Sequence, residues 1–264
     1  FYGGNTAKDF AEDVDVYRDT DFRGIYCEFV HGDQPKFPVP GITPYSPPRN
    51  ALYPHPGYEQ YQRRTEQMRR EGFDYLRVVR DLTRSAGLEL YVSQRMSFVA
   101  QPPFEDIWKT DFNRGKYADF CRHPDGRPAA RMSYAKKPVQ DRMLQIYRAA
   151  AGYGIDGIHL ITIRGGPMVM YEKEMLERFR ERFGTKVDPR KLPLHEERVW
   201  SVRAELFGEY LRRLRATMHQ AARVAGHKPP LISMHGLCTQ MAMRTFGLDF
   251  KSWAQQGLVD RIVA

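Results

Sequence analysis

"YGIDGIHLITIRGGPMVMYE", residues 153–172, contains the clearest strand signal in this chain. A glycine turn leads into an apolar run, Ile155–Ile163, which is rich in β-branched residues and stops at Arg164. The run has the length and composition of a buried strand. Helical patterns flank it, Pro138–Ala151 before it and Tyr171–Phe183 after it. A buried strand between two helices is typical of a parallel sheet, because parallel neighbours need a long return connection.

The same alternation of strand and helix recurs along the chain. The other predicted strands are Phe1–Gly4, Phe22–Val30, Leu88–Met96, Pro229–Gly236 and Val259–Ala264. The other predicted helices are Thr6–Arg18, Tyr58–Ala86, Glu196–Ala225 and Leu248–Gly257. Repeated right-handed crossovers of this kind build either a (β/α)8 barrel or an open doubly wound sheet.

Two features of the connections favour the barrel. No G-x-G-x-x-G turn follows the first strand, and the loops after the strand ends are long and rich in aromatic residues. We therefore predict an α/β fold of the (β/α)8 TIM-barrel type, with one domain over residues 1–264. The pattern supplies about six strands where a closed barrel needs eight. Because a bare parallel edge is a liability, we expect a fragment or an incomplete barrel.

The composition is that of an ordinary globular protein, with 264 residues, 42% hydrophobic and 28% charged. It excludes a disordered chain and a collagen-like fibre. The net charge of +9 would suit a polyanionic partner. However, arginines such as Arg63 and Arg64 alternate with glutamates, a pattern typical of a solvated helix face with local ion pairs. A nucleic-acid partner is not indicated, since no recognition motif accompanies the charge.

The three cysteines, Cys27, Cys121 and Cys238, are far apart in the sequence and form no C-x-x-C pair. This predicts buried free thiols and disfavours a disulfide scaffold or a zinc knuckle. No metal or cofactor is expected, because the histidines lack metal-ligand spacing. No apolar run is long enough to span a membrane, and no signal peptide begins the chain. Because the sequence opens on Phe1 without a methionine, we expect a trimmed or mature product, and its localisation stays open.

Ligands of parallel α/β folds bind beyond the carboxyl ends of the strands. The polar residues that follow or end the predicted strands are Glu28, His31, Asp33, Gln94, Arg95, Arg164, Tyr171, Glu172 and His235. Glu28 lies within an apolar strand, where an ionised carboxylate is costly unless it is paired or functional. His31 and His235 are either ligand-binding groups that titrate near neutrality or structural residues bonded to the backbone. Arg164 either pairs with Glu172 or faces the ligand.

The segment Gln34–Tyr58 is a second signal, because it combines eight prolines with several tyrosines. Such a segment is stiff without forming a helix or strand, and aromatic faces stack on sugar rings or bases. The alternative is a packed loop that covers the barrel mouth. Trp108, in the next long loop, would serve in the same way.

One part of the sequence has a familiar pattern. "DGIHL" and "IRGGPMVMYE", preceded by "MSYAKKPVQDRMLQIYRAAAGYGI" and followed by "RFRERFG", resemble the glycosyl-hydrolase-like TIM barrels grouped as family ten-like proteins, many of them bacterial. The resemblance covers Leu88–Ala264 and is strongest over Ser133–Gly184. It implies an eight-stranded barrel, a carbohydrate ligand, strand-end carboxylates that act on a glycosidic bond, and a secreted or periplasmic location. The family's strand aspartate corresponds here to Ile161, which cannot act as a nucleophile.

The leading hypothesis is a glycoside-hydrolase-like protein that acts on or binds an oligosaccharide or polysaccharide, with Glu172 and Glu28 as the acid/base pair. The residues expected to contact the sugar are Arg164, His235, His31, Asp33, Arg95, Tyr171 and Trp108. The first alternative is a catalytically inactive carbohydrate-binding pseudo-enzyme, which Ile161 favours. The second is a binder of an acidic polymer, which the charge of +9 favours.

Overall fold

The computed structural model of the protein describes residues 7–45, 63, 66–68, 70–96, 110–113, 117–163 and 166–263. The strands are β1 (Gly24–His31), β2 (Gln34–Pro35), β3 (Glu89–Arg95), β4 (Phe120–Arg122), β5 (Pro128–Met132), β6 (Gly157–Ile161), β7 (Leu231–His235) and β8 (Arg261–Val263). The helices are α1 (Ala7–Asp15), α2 (Tyr75–Ser85), α3 (Lys137–Ala151), α4 (Lys173–Phe183), α5 (Glu197–Val224), α6 (Gln240–Phe246) and α7 (Phe250–Gln255).

The main sheet has six strands in the order β2-β1-β3-β6-β7-β8. Every neighbouring pair from β1 to β8 is parallel, and only the two-residue strand β2 is antiparallel, to β1. The parallel strands follow one another in chain order, as in a barrel wall, whereas a doubly wound sheet reverses its order at a switch point. The predicted barrel-type α/β fold is therefore confirmed. Over the described ranges the sheet is open, with β2 and β8 at its edges.

The two faces of this sheet differ in chemistry. On the outer face, alternate strand residues such as Leu90, Ile158 and Ile232 are buried in one core with Tyr147 of α3 and Tyr210 of α5. The inner face carries the opposite set of alternating positions. Its polar members include Glu28, His31, Glu89, Ser93, Arg95, His159, Ser233, His235 and Arg261. The inner face is therefore the polar one, and it is the face that a barrel would enclose.

Contacts across the inner face show that the sheet curls. Arg261 of β8 donates a 2.8 Å hydrogen bond to Glu89 of β3, although β6 and β7 lie between the two strands. The ring of Tyr91 covers Gly157, where an added Cβ would lie 2.3 Å from a Tyr91 ring carbon. Only glycine fits beneath this ring. The curvature is that of a barrel wall, whose interior is filled by side chains from alternating positions.

Several predicted elements require correction. The long helix predicted over Tyr58–Ala86 is interrupted, because Gly72 has a positive φ of 75° and Asp74 caps a new helix by accepting a hydrogen bond from Arg77 N. The β4–β5 hairpin and helix α6 were not predicted. The first helix ends at Asp15, earlier than expected. The predicted strand Phe1–Gly4 lies outside the described residues.

The cysteine prediction is correct for two of the three thiols. Cys27 and Cys121 are buried and unpaired, whereas Cys238 is unpaired but exposed. Burial raises the pKa of Cys27 to about 12, so its thiol stays protonated near neutral pH. None of the helices that the structure describes is long and apolar enough to cross a bilayer.

Candidate functional site

The carboxyl ends of β1 and β3 bring together four polar side chains, Glu28, His31, Lys36 and Arg95, which we call the Glu28 cluster. A bulge in β1 creates it. Residues 28 and 31 of a regular strand would point to opposite faces, but the register shifts between Glu28 and Val30, so that Glu28 pairs with Ser93 and His31 with Arg95. Both side chains therefore lie on the inner face of the sheet.

Glu28 is the centre of the cluster. Its carboxylate lies 2.9 Å from His31 Nδ1 and 2.6 Å from Arg95 Nε. Burial acts to raise the pKa of Glu28, but the hydrogen bond to His31 and the nearby charges of Lys36 and Arg95 outweigh it and bring the pKa to about 2. Burial also lowers the pKa of His31. Glu28 is therefore ionised at neutral pH. The neutral His31 ring donates a hydrogen bond from its Nδ1–H to the carboxylate.

Lys36 approaches the cluster from the loop after β2. Its Nζ lies 5.4 Å from the centre of the Tyr45 ring, a cation–π distance. The side chain is half-buried, and burial lowers the pKa of Lys36 against the opposing attraction of Glu28. Lys36 thus adds a second cation beside Arg95.

A pair of histidines lies on the neighbouring strands β6 and β7. His159 Nε2 is 2.8 Å from His235 Nδ1, and His159 Nδ1 is 3.0 Å from Ser233 Oγ. The Thr162 hydroxyl donates a hydrogen bond to the backbone carbonyl of His235 and so fixes the end of β7. Burial, followed by the proximity of His235, lowers the pKa of His159 to about 4. Burial also lowers the pKa of His235, so both rings are neutral near pH 7 and the N–H of one donates a hydrogen bond to the other.

Ser93 lies between the two groups. In the strand register it is flanked by Glu28 on β1 and His159 on β6. Its side chain is 2% exposed, and its hydroxyl has no hydrogen-bond partner among the residues that the structure describes. A buried hydroxyl without a partner is uncommon and costs free energy unless a ligand or water satisfies it.

Asp33 and Tyr171, two further predicted site residues, bond partners outside the Glu28 cluster and the histidine pair. The Asp33 carboxylate is 1% exposed, accepts a 2.8 Å hydrogen bond from the Thr110 hydroxyl and lies 3.5 Å from Arg142. Burial raises the pKa of Asp33. The hydroxyl of Tyr171 donates a hydrogen bond to the carbonyl of Leu192. Arg164 and Trp108 lie outside the described residues.

Glu172 lies in the interior of the protein. It is 0% exposed and accepts hydrogen bonds from the backbone N–H of Met170 at 3.1 and 2.8 Å. Burial raises the pKa of Glu172. These contacts give the carboxyl a structural explanation, and its catalytic role stays a prediction.

Sequence reasoning missed Lys36, Ser93, His159 and Ser233. Three of them carried a readable signal, since a polar residue interrupts an apolar strand in "YVSQR", "GIHLI" and "LISMH". No cluster of three or more potential metal ligands occurs in the described part of the chain.

Solved structures of other proteins share the fold of this chain. No family model matches the chain, and no curated protein sequence matches it. Among solved structures, the PgaB (BpsB) glycoside hydrolase domain from Bordetella bronchiseptica is similar with a TM-score of 0.63 at 12% identity, over 97% of this chain and 67% of that one. The catalytic domain of beta-amylase from Paenibacillus polymyxa gives 0.57 at 12% identity, over 98% and 73%.

A third similar structure is alpha-L-fucosidase isoenzyme 2 from Paenibacillus thiaminolyticus, with a TM-score of 0.52 at 14% identity. The match covers 87% of this chain and 29% of that one. At such identities the similarity shows a shared fold. The chain therefore has the fold of glycoside hydrolase domains, and the chemistry of its site has to be argued from its own residues.

Proposed function

We propose that the chain is a glycoside-hydrolase-like protein that binds carbohydrate at the carboxyl ends of β1, β3, β6 and β7. The observation that carries the proposal is the Glu28 cluster. It lies on the inner face of a barrel-type sheet, at the edge where ligands of such folds bind. The structurally similar glycoside hydrolase domains support the same class of ligand.

The geometry suits a polyhydroxylated ligand. Sugar hydroxyls both donate and accept hydrogen bonds, and this edge offers both kinds of partner. Glu28 is 24% exposed and ionised, so it accepts, while Arg95 is 31% exposed and donates. The buried Ser93 hydroxyl lies between them and the histidine pair with its bonding capacity unused by the described residues. A ligand hydroxyl at this point would satisfy it.

Hydrolysis is the second candidate function, and the ionised Glu28 favours it. A carboxylate that is deprotonated near neutral pH has the form required of a nucleophile or a base. Hydrolysis also needs a proton donor. The two carboxyls with raised pKa, Asp33 and Glu172, are buried with hydrogen-bond partners of their own, and the inner face carries Ile161 where the family resemblance implies an aspartate. Binding is therefore the primary proposal.

The test measures binding and turnover on one panel of oligosaccharides by calorimetry and reducing-end detection. We expect measurable affinity for at least one member, and a roughly tenfold loss of affinity in Glu28→Gln, as for a lost charge-assisted hydrogen bond. The matched control is Glu177→Gln on α4, a half-exposed carboxylate that pairs with Lys173. Turnover abolished by Glu28→Gln would establish hydrolysis, and unchanged affinity in this variant would overturn the proposed site.

A further inference from the structure

The charges of the Glu28 cluster do not balance. Glu28 supplies one negative charge, and Arg95 and Lys36 supply two positive charges, while His31 is neutral at pH 7. One positive charge therefore remains. It lies on the inner face, at the edge assigned above to the carbohydrate.

Arg95 uses only part of its hydrogen-bonding capacity. Its Nε donates to Glu28 at 2.6 Å, which fixes the plane of the guanidinium. In the described part of the chain its terminal nitrogens have no acceptor, and the side chain is 31% exposed. A guanidinium held in this way presents its remaining N–H groups to a planar anion.

Lys36 is a cation without a carboxylate partner among the described residues. Its ammonium lies over the face of Tyr45 at 5.4 Å and forms no ion pair with Glu28 within 4 Å. A half-buried ammonium loses part of its hydration, and a ring face returns only a fraction of that free energy. An anion that enters from solvent would compensate both cations at once.

We propose that the carbohydrate carries an anionic group, a carboxylate or a sulfate, which binds between Arg95 and Lys36. The inference rests on the proposed function, and it narrows the ligand from sugars in general to acidic sugars. Glu28 does not oppose such a ligand strongly, because its oxygens already accept hydrogen bonds from His31 and Arg95. The neutral part of the sugar would face Glu28, Ser93 and the histidine pair.

The experiment compares three probes of equal length: trigalacturonate, its carboxyl-reduced neutral counterpart, and the same neutral trisaccharide carrying one sulfate. Affinity is measured by calorimetry at low and moderate salt. We expect at least one acidic probe to bind about tenfold or more tightly than the neutral one, and added salt to reduce this difference. The better of the two acidic probes identifies the anionic group.

Three variants locate the effect. Lys36→Met should remove most of the preference for the acidic probe, whereas Lys36→Arg should keep it because the charge is retained. Lys228→Met is the matched control, since Lys228 is exposed and lies just before the amino end of β7, at the opposite end of the sheet. Thermal melting of each variant shows whether it is folded. If Lys36→Met does not fold, the Lys36→Arg variant and the salt series still decide.

The possible results separate the two proposals. Equal binding of neutral and acidic probes, unaffected by Lys36→Met, would overturn the acidic-sugar inference and leave the carbohydrate site intact. Failure of all three probes and of the whole oligosaccharide panel would overturn the proposed function and the inference together. An equal loss of acidic preference in Lys228→Met would show non-specific attraction by the basic chain, and it would also overturn the inference.

Discussion

A glutamate lies near an arginine in two regions of the molecule, and the pKa of the glutamate is shifted in opposite directions in the two. In the Glu28 cluster, Arg95 bonds the carboxylate directly, both side chains reach solvent, and the pKa of Glu28 falls to about 2. In the interior, Glu172 and Arg203 are both 0% exposed, and burial raises the pKa of Glu172.

The partners of the two arginines explain the difference. Arg203 donates hydrogen bonds to four backbone carbonyls, those of Val169, Leu194, Arg244 and Thr245. It holds together the loop before α4, the start of α5 and the end of α6. Arg95 bonds one carboxylate among the described residues and is 31% exposed. An arginine thus becomes structural when backbone carbonyls accept from most of its donors, as they do for Arg203.

The largest expected effect is on Arg203. Replacement by methionine keeps much of the side-chain volume but leaves four backbone carbonyls without their donor and removes a buried cation near Glu172. We expect a loss of about 3–5 kcal/mol in the free energy of unfolding, measured by urea denaturation. Arg203→Lys keeps the charge but not the fork of donors and should recover only part of it. A loss below about 1 kcal/mol would contradict a structural role.

The next largest effect on stability is expected at Glu172. Glu172→Ala removes the acceptor of the Met170 N–H and creates a cavity, so we expect it to destabilise the protein by about 2–3 kcal/mol. Glu172→Gln keeps the shape and an oxygen acceptor and should lose much less. Carbohydrate affinity of the folded Gln variant should equal that of the wild type. Loss of binding or turnover in this variant would instead support the catalytic role predicted for Glu172.

The two glutamates should respond to acid with opposite signs. The pKa of Glu28 is lowered from 4.5 to about 2 in the folded protein, so its stabilising contribution is present above pH 4.5 and is lost as the pH falls toward 2. The pKa of Glu172 is raised from 4.5, so its ionisation destabilises the protein above that pH and not below it.

Urea denaturation across this pH range tests both signs. Glu28→Gln should cost about 1–2 kcal/mol at pH 7, and the difference from the wild type should vanish near pH 2. Glu172→Gln should remove the opposite trend. Parallel pH profiles for the two variants would show that the two glutamates share one kind of environment, which would contradict the predicted opposite signs.

The smallest expected effect is on Ser93. Because its buried hydroxyl has no partner among the described residues, Ser93→Ala should leave the free energy of unfolding unchanged or raise it by up to about 1 kcal/mol. The same variant should weaken carbohydrate binding, since the hydroxyl is proposed to bond the ligand. Ser233→Ala is the comparison, because Ser233 bonds His159 and its loss should be destabilising. A destabilised Ser93→Ala variant would indicate a structural hydroxyl.

Much of the fold could be predicted from local pattern. Three predicted apolar strands are adjacent and parallel in the structure, and they contain Val92, Ile158 and Ile232. Their apolar residues were readable in the sequence because the outer face of the sheet is buried in the core. The sequence also contains a signal for the break in the predicted long helix, namely Gly72 followed by Asp74. Helical periodicity on both sides obscured this signal. The β4–β5 hairpin escaped because its strands are short and its alternation weak.

The site was predictable only in part. The rule that ligands bind beyond strand ends selected Glu28, His31, Arg95 and His235, and these residues do lie on the inner face at that edge. It also selected Asp33 and Glu172, which are buried with their own partners. A position in the chain gives the strand end at which a residue lies, but not its solvent exposure.

The amino-acid pattern alone was enough to predict the alternation of strand and helix, the barrel-type order of the parallel strands and the edge where polar residues gather. These features depend on periodicity and on chain connectivity, which are local properties. Which carboxylate is ionised and partly exposed became clear only from the folded chain. That outcome depends on a one-residue bulge in β1, which turns His31 toward Glu28, and on the burial that encloses Glu172. The physical reason is that the free energy of a charge depends on its surroundings in space, and distant parts of the chain supply those surroundings.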